Sequence, residues 1–115
     1  MNAGGELLLY QTEDGCTRVE VRFSGETAWL SLGQMAELFQ RDESVISQYI
    51  KNVFDEGELS RQAVVANIAT TAADGKTYQV EHFNLELIIS VGYRVKSHRG
   101  TQFWIWATQS YAFAR

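Results

Sequence analysis

The stretch Ser31-Leu32-Gly33-Gln34-Met35-Ala36-Glu37-Leu38-Phe39-Gln40-Arg41-Asp42-Glu43-Ser44-Val45-Ile46-Ser47-Gln48-Tyr49-Ile50-Lys51-Asn52-Val53-Phe54-Asp55-Glu56-Gly57 decides the fold. Ser31 is placed to cap a helix, and Gln34 reaches back to complete a capping box. Leu30 and Met35 stand where a hydrophobic staple closes such an entry. Met35, Ala36, Leu38 and Phe39 give the short helix a buried stripe, and Gln40-Arg41 is the expected turn out of it. Asp42 is a good N-cap for a second helix running to about Glu56, with Gly57 placed to end it in a left-handed conformation. Val45, Ile46, Tyr49, Ile50, Val53 and Phe54 repeat at helical spacing and predict the core face of that helix. Ser44, Ser47, Gln48, Lys51 and Asn52 lie opposite.

On the N-terminal side, Leu7 to Tyr10 is a short apolar run, and Thr12-Glu13-Asp14-Gly15 carries the Asp-Gly chemistry of a tight turn. Arg18-Val19-Glu20-Val21-Arg22-Phe23 alternates strictly, which puts Val19, Val21 and Phe23 on one face of a strand. Thr27-Ala28-Trp29-Leu30 reads as a third short strand, and residues 1 to 5 are expected to fray. On the C-terminal side, Gln62 to Thr71 and Thr77 to Phe83 flank Asp74-Gly75-Lys76 and predict a second hairpin. Asn84 can cap a third helix through Leu85, Leu87, Ile88 and Val91. A fourth is expected from about Arg99 or Thr101 through Phe103, Trp104, Trp106 and Tyr111. Trp104 and Trp106 cannot share one side of a helix, so one of them is expected to be exposed.

The order strands, helix, turn, helix, hairpin, helix, helix predicts an α+β, winged helix-turn-helix-like domain covering residues 1–115. The chain contains no proline and no repeat, so no linker is expected within it. With 45% hydrophobic and 21% charged residues it lies outside the composition of disordered chains. No run approaches the roughly 18 apolar residues of a membrane span, and Cys16, the single cysteine, suits a reducing compartment. The expected location is the cytoplasm, without membrane association.

A formal net charge of -4 opposes the simplest picture of a nucleic-acid binder. The distribution is uneven, however. Beyond residue 83, Arg94, Lys96, Arg99 and Arg115 face only Glu86, whereas the first 83 residues hold six basic and thirteen acidic side chains. Such asymmetry permits a basic face on an acidic protein.

Three features are candidates for function. The helix pair has the form of a helix-turn-helix, whose second helix needs hydrogen-bonding side chains facing outward. Gln48 and Asn52 carry amides suited to adenine edges, Lys51 suits guanine or phosphate, and Ser44 and Ser47 suit either. Asp42 and Glu43 complement the helix dipole there but repel phosphate. The second hairpin falls where a wing would be, with Lys76 at its tip. The segment from Tyr93 to Gln102 gathers Arg94, Lys96 and Arg99 with hydroxyl groups, a composition suited to phosphate. Ordinary solvation competes as an explanation of each feature, and core packing competes for the aromatic cluster. With His82 and His98 the only imidazoles and no HExxH, CxxC, GxGxxG, P-loop or GxSxG pattern, neither a metal site nor a catalytic nucleophile is expected. The chain is read as no enzyme and as needing no cofactor. The expected partner is double-stranded DNA, bound by a symmetric homodimer. The alternative is a protein-interaction module of the same shape that does not bind DNA.

The stretches Leu9 to Gly15, Gln34 to Phe39, Ile50 to Leu59 and Ile88-Ile89-Ser90-Val91-Gly92-Tyr93-Arg94-Val95-Lys96-Ser97-His98-Arg99-Gly100-Thr101-Gln102-Phe103 closely resemble the N-terminal part of the virulence protein RhuM family. The last run is the most specific. The resemblance implies a bacterial gene, often horizontally acquired, whose N-terminal region is a DNA-binding-like module. Members are usually longer, so it also implies a truncated member or an isolated N-terminal piece, and it supplies no catalytic residue.

Overall fold

The computed structural model describes residues 6–12 and 14–114, with side chains up to residue 110. Residues 1 to 5, expected to fray, and the Tyr111 side chain lie outside the described residues. In chain order the elements are β1 (Glu6–Gln11), β2 (Arg18–Ser24), β3 (Thr27–Ser31), α1 (Leu32–Phe39), α2 (Glu43–Asp55), α3 (Arg61–Val64), β4 (Val65–Thr71), β5 (Thr77–Asn84), α4 (Leu85–Val95) and α5 (His98–Ala114). The architecture is α+β. The strands form one antiparallel five-stranded sheet in the order β1-β2-β3-β5-β4.

The first hairpin forms because alternation on β2 meets a complementary apolar run on β1. Leu8 pairs with Val21 and Tyr10 with Val19, and Val19, Val21 and Phe23 are buried as expected. The turn is held by Asp14, whose carboxylate accepts from Thr12 Oγ1 (2.6 Å) and Cys16 N (3.0 Å). At β3 the chain enters α1 through the full capping box. Ser31 N donates to Gln34 Oε1 (2.8 Å), and Gln34 N donates to Ser31 Oγ (3.3 Å). Caps of this type contribute about 0.5–2 kcal/mol. Leu30 and Met35, on either side of the cap, are both fully buried.

Gln40, left-handed at φ 54°, turns the chain out of α1. Asp42 then caps α2 through Ser44 N (3.1 Å). Gly57 follows α2 at φ +73°, a conformation that glycine adopts without the clash a β-carbon makes. One element departs from expectation. The residues after Gln62 were expected to be extended, but Arg61–Val64 makes a helical turn and β4 starts only at Val65. That turn delivers Val64 into the core, where it is 1% exposed. α5 likewise begins at His98, earlier than expected, because Ser97 Oγ accepts from Arg99 N (3.1 Å) at its start.

One face of the sheet and the inner faces of the helices enclose a single hydrophobic core, with Phe39, Phe103, Leu30, Met35, Leu38, Ile46, Leu87 and Ile88 among its fully buried members. α4 and α5 approach closely through glycine. A β-carbon on Gly100 would lie 3.3 Å from Gly92 Cα and 3.3 Å from Phe39 Cε1. Trp106 packs on Tyr10, Phe23 and Phe103 at centroid distances of 5.0–5.8 Å, whereas Trp104 is 43% exposed. The two tryptophans therefore divide between core and surface as their spacing predicts.

Candidate nucleic-acid interface

α2 buries Ile46, Ile50 and Val53 and turns Ser44, Ser47, Gln48 and Lys51 to solvent, with Asn52 half-buried. Amphipathic spacing alone produces this division. The outward side chains are not independent of one another. Ser44 Oγ donates to the Asp42 carboxylate (2.5 Å), which holds that acid below its usual range and commits Ser44 to the cap. Gln48 Nε2 donates to Asn52 Oδ1 (3.0 Å), and Lys51 pairs with Asp55 (2.5 Å) one turn on. The two amides stand as one hydrogen-bonded unit on the open face. Ser47 and Lys51 also line a groove of 560 Å³ between α2 and the base of β5, with Glu43, Asp55 and Glu81 as its acidic members.

The second hairpin borders this groove at Val80 and Glu81 of β5. Its tip is closed by Ala72 N donating to Lys76 O (2.9 Å), and Asp74 accepts from Lys76 N (2.9 Å) and from the Tyr78 hydroxyl (2.7 Å). The Tyr78 bond is the larger cause holding the Asp74 carboxyl below its usual range. Lys76 is exposed, and among the described residues it has no ion pair.

The cations of residues 94 to 99 do not form one patch. Arg94 is bound at the C-terminal end of α2. Its guanidinium donates to Glu56 (2.7 and 3.3 Å) and Glu58 (2.8 Å), while Ser90 Oγ donates to Glu58 (2.7 Å). Only 22% of the Arg94 side chain is exposed. The hydrogen bonds from Arg94 lower both carboxyl pKa values, and the carboxylates raise that of Arg94. Arg99 turns inward and donates to Thr17 Oγ1 (3.2 Å) and the Leu38 carbonyl (3.3 Å). The latter is among the last carbonyls of α1, which the helix itself leaves unbonded. Lys96 is exposed at the left-handed C-cap of α4. The structure thus brings the α2 stripe together, keeps Lys76 and Lys96 open, and commits Arg94 and Arg99 to the fold. Sequence reasoning missed the Glu56–Arg94–Glu58 clamp, because its partners are 36 and 38 residues apart and no local pattern joins them.

His82, expected to be half-buried packing, is buried between β3 and β4, and its Nδ1 lies 2.9 Å from the Val80 carbonyl. Burial lowers its pKa, so the fold favours the neutral ring. Below the unfolded-state pKa of about 6.5 the unfolded chain takes up a proton that the folded chain resists. Stability from His82 is therefore complete above about pH 6.5 and declines as pH falls toward the depressed folded-state value. Glu56 and Glu58, also lowered, add a second decline beginning near their unfolded pKa of about 4.3. Urea midpoints followed from about pH 7 to about pH 5 are expected to fall for the natural chain and to stay nearly level for His82→Gln. Equal slopes in the two proteins would show that the ring titrates normally.

The fold and this surface define an α+β domain that presents a polar helix face beside a hairpin. Residues 63–112 match the model of the virulence protein RhuM family, so the resemblance seen in the sequence is borne out over this segment. The match runs through β4, β5 and α4 into α5, and includes Lys76, Arg94, Lys96 and Arg99; α1 and α2 precede it. No curated protein and no solved structure matches the chain. Among the described residues no helix is long and apolar enough to cross a membrane, and no group of three or more His, Cys, Asp or Glu is arranged to hold a metal ion.

Proposed function

We propose that this chain is a winged helix-turn-helix domain that binds double-stranded DNA, with α2 in the major groove and the β4–β5 hairpin as the wing. One observation carries the reading. β3 leads into α1 and α2, and β5 returns to pair with β3, so the α1–α2 pair and the β4–β5 hairpin share one framework, with the amide stripe of α2 open. A helix offered to the major groove needs that combination of a buried inner face and a free hydrogen-bonding outer face. Gln48 and Asn52 are assigned to base edges, Ser47 and Lys51 to bases or phosphate, and Lys76 to the backbone. Arg94 and Arg99 act on the fold rather than on phosphate. The proposal assigns the chain no catalysis.

A second reading has its own support. Arg94 already carries two carboxylates and Lys51 one, which leaves little positive potential near α2 and suits a protein partner better than a polyanion. Salt dependence separates the readings. Binding of a labelled duplex is measured between about 50 and about 200 mM salt. DNA binding predicts affinity falling steeply with salt, a Lys76→Ala slope shallower by about one for each copy of Lys76 in the complex, and an Arg94→Ala slope unchanged. Absence of binding at the lower salt would remove the DNA reading and leave the interaction module.

A further inference from the structure

We propose that the α4–α5 surface is the interface of a two-fold symmetric dimer, in which Tyr93 of each protomer enters the groove between α4 and α5 of the other. Of the seven large hydrophobic side chains exposed among the described residues, three lie on these two helices: Tyr93 (80%), Trp104 (43%) and Ile105 (45%). Tyr93 forms one wall of a groove of 390 Å³ whose other apolar walls are Ile89 and Trp104, with Ser97 and Thr101 also lining it. A tyrosine matches that chemistry, since its ring suits the apolar walls and its hydroxyl needs a polar partner. Knob and groove are adjacent on one protomer, and a two-fold axis makes such a patch complementary to itself.

The charges on α4 specify the arrangement. Glu86, Ile89 and Tyr93 lie along one stripe of the helix, which ends at Lys96 in the C-cap. Glu86 and Lys96 are equally distant in sequence from residue 91, and so are Ile89 and Tyr93. Antiparallel packing of two α4 helices about an axis level with that residue therefore sets Tyr93 against the partner's Ile89. The same operation sets Lys96 against the partner's Glu86, and each contact occurs twice. Glu86 and Lys96 are both exposed and make no ion pair among the described residues, so both are open to a partner. With Lys96 engaged there, phosphate contact in the proposed DNA complex rests on Lys51 and Lys76, each present twice.

Sedimentation equilibrium of the full chain without DNA tests the arrangement independently of the DNA reading. The natural chain is expected to dimerise, and Tyr93→Ala and Lys96→Glu are each expected to raise the dissociation constant about tenfold or more. All three positions changed are exposed, so folding is retained. The double variant Glu86→Lys, Lys96→Glu exchanges the charges and is expected to return the constant to within about threefold of the natural value. A natural chain that stays monomeric up to about 200 µM, at the weak end of specific association, overturns the proposal. So does a dimer indifferent to Tyr93→Ala, or a charge exchange that fails to restore what Lys96→Glu removed.

Discussion

Phe39→Ala is expected to destabilise the chain by about 3–5 kcal/mol, the largest effect of any single truncation considered. Phe39 is the last residue of α1 and is fully buried. Its ring edge lies where α4 and α5 cross. A β-carbon on Gly92 would stand 3.4 Å from Phe39 Cε1 and 3.4 Å from Gly100 Cα. Two helices brought together through glycine leave little side-chain volume at the crossing, so the aromatic ring from α1 fills the space. Alanine would leave a cavity there that the helices cannot close without moving the backbone. Domains of this size are typically stable by about 5–15 kcal/mol, so the variant should sit near the edge of folding, with a melting temperature lower by roughly 10–20 °C. Urea denaturation at an unchanged m-value checks it. A loss below about 1 kcal/mol would mean that this three-helix junction is not packed as described.

The same junction shows where sequence reading reaches its limit. Caps, turns and alternation are local, and they were legible. Ser31 with Gln34, Asp42, Gly57 and Asn84 mark helix ends that the structure reproduces, and the Asp-Gly pairs mark both hairpin turns. The outward stripe of α2 was also legible from helical spacing, except that Val45, expected on the core face, is 39% exposed. What was not legible depends on contacts between distant segments. Arg94 and Arg99 belong to a run whose composition suits phosphate, yet one is claimed by Glu56 and Glu58 and the other by Thr17 and the Leu38 carbonyl. An arginine near a helix end satisfies unpaired carboxylates or carbonyls as readily as it meets phosphate, and only the tertiary arrangement decides. α3 was hidden for a related reason. Four residues are too few for a helical period to show against β-tolerant neighbours.

Replacing Gln48 and Asn52 together by alanine is expected to remove most of the sequence preference of DNA binding while sparing its salt dependence. Each amide that pairs bidentately with an adenine contributes about 1–3 kcal/mol of discrimination, or about 10- to 100-fold, so the double variant should bind a preferred and a scrambled duplex almost equally. The preferred duplex is first obtained by selection from a randomised pool. Folding should be affected by less than about 0.5 kcal/mol, because neither side chain contributes to the core. Their mutual hydrogen bond holds both amides in one orientation, which in the proposed complex would reduce the side-chain freedom lost on binding. Lys76→Ala should give the opposite result, weaker binding to every duplex with a shallower salt slope and the sequence preference intact. The pair of measurements separates base reading from backbone contact. If the amide variant instead weakens all duplexes equally and flattens the salt slope, the α2 stripe does not read bases and the assignment of its residues is wrong.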